Sequence, residues 1–451
     1  MNKKKENLIE ETKNDLPEGE VVCVNKKKKT SKKVLAIVLG VLFFLLSFAG
    51  GFLTNYLIRG KEANVAYDLV AIMQKVGYIY DPTTGENRKI TDKDVGDALV
   101  KGLLDDYAKY YTAEEYAEVT ANSKGNYRGI GVSFYKDAGT EISQVVGNSP
   151  AYHAGLKAGD KLLSGSVDGG ETVIFNDEKD IINFIGEYET DAELTFNYER
   201  KGGQNTVTVK KKSYVASYVT YYDNQNIYEF VNKDGGTPQG QENKSSEMNY
   251  LDNDVAYIKL DSFEGGAAWQ MGKALDYMKE RDKTKLILDL RGNGGGYMDV
   301  LTDIASYFIN NGGKKKSAVA IAVGKTGDQT FYTDNNRYKS ITSIAVIGDK
   351  NTASASECLI GALKNYVDGV KIVVEKDNEG VARTFGKGIM QTTYILITGG
   401  AFKLTTAKIV WPNADRTCIH GVGVTATDHD AIEAEKGAGV DVALDELKNA
   451  V

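Results

Sequence analysis

Apolar and polar positions alternate along this chain with a period that changes several times. Val34 to Leu53 reads VLAIVLGVLFFLLSFAGGFL, twenty residues without a charge, and the apolar character runs on to Ile58. That length spans a bilayer as a helix. Ala66 to Val76 and Val95 to Leu104 then carry apolar residues three and four apart, so two helices are expected, separated by the breaker DPTTGEN. From about Gly125 the period shortens to that of strands: YRGIGVSFY, TEISQVV, KLLSGSV, AELTFNYE and TVTVKKKSYV. Among them lies SPAYHAGLKAGD, a short helix with Ser149 as N-cap and Pro150 at its first position. Asn232 to Asn249 is polar and reads as a surface loop or linker.

Beyond it, strands and helices alternate. VAYIKLDSF leads to a helix over about Ala267–Arg281, LILDL to a helix over about Met298–Ile309, and SIAVIGD to a helix opening at Ser354. AVAIAV and KIVVEK are further strands, and MQTTYILIT and FKLTTAKIVW add strand material to a mixed sheet. Strand–helix alternation of this kind is the α/β pattern.

The chain has 451 residues, 42% hydrophobic and 26% charged, enough for two or three domains with separate cores. Its net charge of −7 is uneven. Residues 1–33 hold ten lysines against six acids, a net of +4, which leaves −11 on the remainder. An acidic bulk argues against a nucleic-acid partner. The flank KKKKTSKK before the apolar run orients residues 1–33 to the cytoplasm and the rest outside. A 33-residue tail and so long a run favour an uncleaved anchor over a signal peptide. Cys23, Cys358 and Cys418 form no disulfide framework; the last two are expected as buried free thiols, with a bridge between them in an oxidising compartment as the alternative. No cluster with metal-ligand spacing occurs, and no cofactor is expected.

Three segments could carry chemistry. RGNGGGYMD (Arg291–Asp299) follows the buried strand LILDL; it is either a plain glycine turn or an oxyanion hole built from unhindered N–H groups. Both phosphate-binding fingerprints fail, one at Tyr297 and the other at Val381 and Gly388. NTASASECLIGALKNYV places Ser354 at a helix N-terminus, where the macrodipole favours an alkoxide; Ser354 and Glu357 also have capping-box spacing. Lys387 stands between glycines in TFGKGIMQ, as a surface lysine or as one threaded into a cleft.

Residues 123–215 resemble a PDZ domain, on the loop Tyr127-Arg128-Gly129-Ile130-Gly131-Val132 and the signature Gly155-Leu156-Lys157-Ala158-Gly159-Asp160. The resemblance makes Gly129, Ile130 and Gly131 the peptide-binding residues, receiving an apolar C-terminal tail as an added strand. The order LILDLRGNGGG, NTASASE, FGKGIMQ, KLTTAKIVWP, GVGVTATD resembles the C-terminal processing (tail-specific) proteases, a Ser–Lys family. By that resemblance Ser354 is the nucleophile, Lys387 the general base and Gln391 its orienting residue, with Gly295 and Ala355 supplying oxyanion N–H groups. An insertion within KDNEGVAR, GVGVTATD in place of Gly-Ile-x-Pro-Asp, and Asp106-Tyr107 where the family has Asp-Pro depart from the pattern.

The expected molecule is mixed α/β: a basic tail (1–33), a transmembrane anchor (34–58), a helical lead-in that packs and supplies homo-oligomer contacts (59–122), the PDZ-like β domain (123–215) and a protease core (216–451). The resemblance implies a single-pass membrane serine endopeptidase acting outside the cytoplasm on protein substrates with apolar tails. A catalytically silent tail-binding scaffold on the same fold is the alternative.

Overall fold

The computed structural model describes residues 39–47, 54, 63, 65–75, 88–124, 126–134, 139–231, 239–244, 248–309, 316–334, 338–397 and 399–449. The chain divides into Met1–Ile90 and Thr91–Val451. In the first unit, residues 39–47 and 65–75 are helical. Leu39, Phe43, Phe44 and Leu46 all lie more than half exposed. No helix among the described residues is long and apolar enough to cross a membrane, and most of the expected anchor 34–58 lies outside them.

The second unit opens with α1 (Asp92–Leu103), β1 (Lys109–Tyr111) and α2 (Ala113–Ser123). Thr91 and Thr112 begin the two helices with full capping boxes, closed by Asp94 and Glu115. A β-rich body follows, from β2 (Asn126–Gly129) to β9 (Lys212–Val215). Its main sheet has the order β6-β5-β7-β8, with β5 Lys161–Val167, β6 Val173–Ile174, β7 Glu193–Arg200 and β8 Gly203–Lys210. α3 (Pro150–His153) and α4 (Glu178–Gly186) close it around its own core, which includes Ile130, Ile142, Leu162, Ile181, Phe184, Leu194 and Phe196. Ser149 does cap α3. The final Asp160 of the glycine signature is buried and takes both Arg200 Nε (2.6 Å) and Nη2 (2.7 Å), a charge-assisted fork that pins the turn to β7.

The remainder is built on an eight-stranded sheet. Five of its strands run parallel: β13 (Val255–Leu260), β14 (Lys285–Asp289), β17 (Ser343–Gly348), β18 (Lys371–Glu375) and β21 (Ile432–Ala434). Successive side chains go to opposite faces, as the two-residue period requires. Leu286, Leu288 and Val346 enter the core under α5 (Ala267–Glu280), α6 (Met298–Ser306) and α7 (Ala355–Tyr366). Ile287, Ala345 and Ile347 face Ala443, Leu444 and Leu447 of α8 (Gly439–Asn449). Burial on both faces is why LILD and IAVI lack a polar stripe.

Antiparallel strands β10 (Val219–Tyr222), β11 (Asn226–Val231) and β12 (Gln239–Lys244) extend one edge. Strand β12 falls inside the stretch 232–249 that the sequence presents as a linker: pairing with β11 overrides its polar composition. A second sheet packs β20 (Ala401–Val410) between β15 (Ser317–Gly324) and β1, with β19 (Ile389–Ile395) also on β20. Its outer strand β16 (Gly327–Thr333) was not expected.

Cys358 and Cys418 are both free, but only Cys358 is buried; Cys418 sits in an exposed turn after Trp411, which corrects the expectation of two buried thiols.

Candidate active site

Strands β14 and β17 are parallel neighbours, so the segments leaving their C-terminal ends meet. Arg291 anchors the first. Its guanidinium bridges Asp289 Oδ2 (2.7 Å) and Glu375 Oε1 (2.6 Å). Burial would raise the Asp289 carboxyl, but Lys259 and Arg291 hold it down at about 2. Beyond Arg291, the fully buried Asn293 donates Nδ2 to Leu260 O (2.9 Å) and accepts the Gly295 N–H at Oδ1 (2.9 Å).

The second segment is tied to the first at several points. Thr352 Oγ1 donates to Leu290 O (2.9 Å), the Gly292 N–H donates to Asp349 Oδ1 (2.9 Å), and the Ala353 N–H donates to Asn293 O (2.9 Å). Ser354 follows as N-cap of α7 with φ 59° and ψ −114°. This region is sparsely populated for any residue with a Cβ and costs about 1–3 kcal/mol. Ser356 turns away and donates its hydroxyl to Asn293 O (3.0 Å), as a packing serine. Gly295 has φ 102°, and a Cβ there would stand 2.8 Å from Ser354 Cβ and 2.9 Å from Ala355 N. Only glycine allows the turn to lie so close to the serine.

Ala355 is the first helical residue, so its N–H has no i−4 partner within the helix. Gly295, the other expected oxyanion donor, has its N–H turned into the Asx turn with Asn293. The two residues are adjacent, but only one of their N–H groups lies outside an internal hydrogen bond among those described.

The loop carrying Lys387 reaches the same place. The Glu357 carboxylate, fully buried, accepts the Ser354 N–H at Oε2 (2.9 Å) and the Lys387 N–H at that same atom (2.9 Å). Its Oε1 accepts the Gly386 N–H (2.7 Å) and the Thr384 hydroxyl. Lys387 is partly buried, with Nζ 4.9 Å from the centre of the Tyr107 ring. Burial pushes its amine below the ordinary lysine range, and Lys403 adds to this; Asp105 and Glu357 oppose it. Gln391 lies on β19 opposite Thr405 and donates Nε2 to Thr405 Oγ1 (3.1 Å).

This geometry, a strained serine at a helix N-terminus sharing a carboxylate with a lysine loop, coincides with a family match. Residues 254–429 match peptidase family S41. The chain carries an S41 peptidase domain. The matched span contains Gly295, Ser354, Ala355, Lys387 and Gln391, and it marks the chain as a serine-type peptide hydrolase. A probable CtpA-like serine protease of Staphylococcus epidermidis is 24% identical over 404 residues, 86% of this chain and 71% of the relative. Its namesake in Staphylococcus saprophyticus is 26% identical over 361 residues, 78% of this chain and 64% of the relative. Among solved structures, a photosystem II D1 C-terminal processing protease aligns over 83% of this chain and 93% of its own, at 20% identity and TM-score 0.49.

Several residues around this site have contacts there that the sequence reading did not assign them. Glu357 looked like a helix cap, and its spacing from Ser354 gave no sign of the bonds to Thr384, Gly386 and Lys387. Tyr107 and Asp105 come from the lead-in, which was expected to supply packing and homo-oligomer contacts but no chemistry. Lys403, also pushed down by burial, is brought in by the pairing of β19 with β20.

A groove of about 780 Å³ opens on the β-rich body. Gly129, Ile130 and Gly131 line it, facing Ile182 and Ile185 of α4. Gly131 has φ 83°, and a Cβ there would overlap Ser149. Ile130 points into the core while its carbonyl accepts the Ala151 N–H (2.8 Å). Glu118 and Asn122 of α2 form part of the wall, a second contribution from the lead-in.

Proposed function

We propose that the protein is a membrane-anchored endopeptidase acting outside the cytoplasm, with residues 34–58 as its anchor. In this reading a PDZ domain over 123–215 captures the apolar C-terminal tail of a protein substrate, and a Ser–Lys dyad cuts the chain. The observation that carries the dyad is the shared acceptor: one buried carboxylate oxygen takes the backbone N–H groups of both Ser354 and Lys387. Two residues 33 positions apart are thereby held beside each other, one in a conformation that costs energy and one with a burial-lowered amine.

The chemistry follows from those properties. A lysine amine has a pKa of about 10.4 in water and is charged at neutral pH. Burial disfavours the ammonium, so Lys387 can reach the neutral form nearer neutrality. Neutral Nζ takes the proton from Ser354 Oγ as that oxygen attacks the peptide carbonyl. Ala355 N–H, at the positive end of α7, donates to the oxyanion; Gly295 N–H joins it by sharing its hydrogen with Asn293 or leaving it. The ammonium then gives its proton to the departing amine, which leaves an ester on Ser354. Water, deprotonated by Lys387, hydrolyses that ester and restores the hydroxyl. Gln391, on the strand that follows the lysine loop, orients the amine in this scheme.

The tail is received in the groove beside Gly129, Ile130 and Gly131, its carboxylate on backbone N–H groups and its side chain among Ile182 and Ile185. Hydrolysis of a fluorogenic peptide with an apolar tail, compared with the same peptide carrying a charged tail, tests both halves. Wild type should cut the apolar-tailed peptide faster, and both Ser354→Ala and Lys387→Ala should be inactive. Persistent cleavage by Ser354→Ala would sink the dyad; equal rates on the two tails would sink the tail reading. Release of the full chain from membranes by salt alone would contradict the anchor.

A further inference from the structure

We propose that Glu357 is a positioning residue of the peptidase site, its buried carboxylate clamping the nucleophile turn and the lysine loop to one side chain. The proposal rests on the Ser354–Lys387 reading above. A capping box accounts for only one of the bonds that Glu357 makes, the one from the Ser354 N–H. The bonds from Lys387 N–H, Gly386 N–H and the Thr384 hydroxyl come from a loop some thirty residues away and have nothing to do with ending a helix. An ionised carboxylate accepts at about four lone-pair sites, and here four donors from the two reacting segments occupy it. No other side chain at this position could do the same. Glutamine presents an NH₂ where two of those donors need an acceptor, and aspartate is one methylene too short to hold both segments.

The surroundings reinforce the clamp. Thr384 Oγ1 accepts the Val424 N–H (2.7 Å), and the Gly421 N–H donates to Gly386 O (2.8 Å), so the lysine loop is backed by the GVGV stretch. A Cβ on Gly386 would stand 2.8 Å from Gly423 N. The loop is therefore trapped between Glu357 and residues 419–424, with little freedom to find the serine another way. The carboxylate also contributes charge: it favours the ammonium of Lys387, against the burial that favours the amine. Glu357 thus acts on the lysine in two separable ways, through backbone geometry and through its field.

The experiment compares Glu357→Gln, Glu357→Asp and Ser354→Ala with wild type, all as full chains, in kcat, KM and the pH dependence of kcat/KM on a fluorogenic apolar-tailed peptide. Glu357→Gln should lose about 100-fold in kcat through misplacement of the reacting groups, with KM changed far less. Its acid limb should move to lower pH, because the negative charge that favoured the ammonium is gone. Glu357→Asp keeps the charge, so it should lose kcat while its acid limb stays near that of wild type. A residue that merely stabilised the fold would lower the folded fraction and leave the acid limb of the remaining enzyme unmoved; that outcome overturns the proposal, as does wild-type kcat in either variant. If Glu357→Gln does not fold, Glu357→Asp decides the matter by its kcat alone. Activity surviving in Ser354→Ala would instead strike at the dyad itself, which separates the two failures.

Discussion

Ser354 and Lys387 donate their backbone N–H groups to one oxygen atom, Glu357 Oε2, each at 2.9 Å. The two nitrogens thus lie within about two hydrogen-bond lengths of each other. The serine meets that bond with φ 59°, a conformation glycine adopts freely and serine does not.

Strain of that kind has a measurable consequence. Ser354→Gly should be inactive yet no less stable than wild type, and more stable by about 1 kcal/mol, since relief of about 1–3 kcal/mol of strain exceeds the entropy glycine adds to the unfolded chain. Urea unfolding of the two proteins side by side checks it. A variant less stable than wild type would mean that the backbone at 354 carries no strain.

The lysine makes a prediction in pH. Its folded-state amine is depressed below the ordinary value by burial first and Lys403 second. The unfolded chain therefore binds more protons between the depressed value and about 10.4, so stability rises with pH across that window. Lys387→Met removes this penalty. It should raise Tm at neutral pH, and the advantage should vanish as pH climbs to about 10.4. A Tm difference independent of pH would contradict the account of the amine.

Part of this arrangement is legible in the sequence alone. The unbroken apolar runs LILDL and SIAVIGD read as apolar strands of an α/β pattern; their parallel pairing, which brings the segments after them together, is seen only in the structure. Glycine at 295 and serine at 354 are singled out by the resemblance to the tail-specific proteases; their local patterns, a glycine turn and a helix cap, leave the roles open. What the sequence hid is long-range. Glu357 carries a perfectly good local explanation as a helix cap, which conceals its bonds to a loop thirty residues on. Tyr107 belongs to a stretch with no periodic signal, and only the pairing of β1 with β20 brings the lead-in to the lysine. Strand β12 hides in a polar stretch because an edge strand needs a backbone partner more than it needs apolar side chains.

For the groove, Ile182 is 58% exposed on the wall opposite Gly131. Ile182→Asp should leave folding intact while weakening binding of an apolar-tailed peptide by about 10-fold or more, the scale of one buried aliphatic contact. Isothermal titration with the free-acid peptide reads this directly. Unaltered affinity would move the tail site elsewhere.

Between the groove and the glycine turn beside the serine runs a chain of bonds. Tyr127 lines the groove, and its hydroxyl donates to Glu264 Oε2 (2.9 Å). One residue before Glu264, the Phe263 N–H donates to Gly295 O (2.9 Å), and Phe263 O accepts the Tyr297 N–H (2.8 Å). Tyr127→Phe should therefore reduce the preference in kcat/KM for an apolar-tailed over a tail-amidated peptide by about 5-fold or more, the usual size of coupling between two sites. An unchanged preference would show that tail capture reaches the serine by another route.

The central claim is that the hydroxyl of Ser354, deprotonated by Lys387, forms the acyl-enzyme. A peptide ester of matching sequence should acylate faster than the ester product is hydrolysed, so that the adduct accumulates. Rapid acid quenching followed by mass spectrometry should find the acyl group on Ser354 in wild type and on no residue in Lys387→Ala. An adduct on another side chain, or undiminished acylation without the lysine, would contradict it.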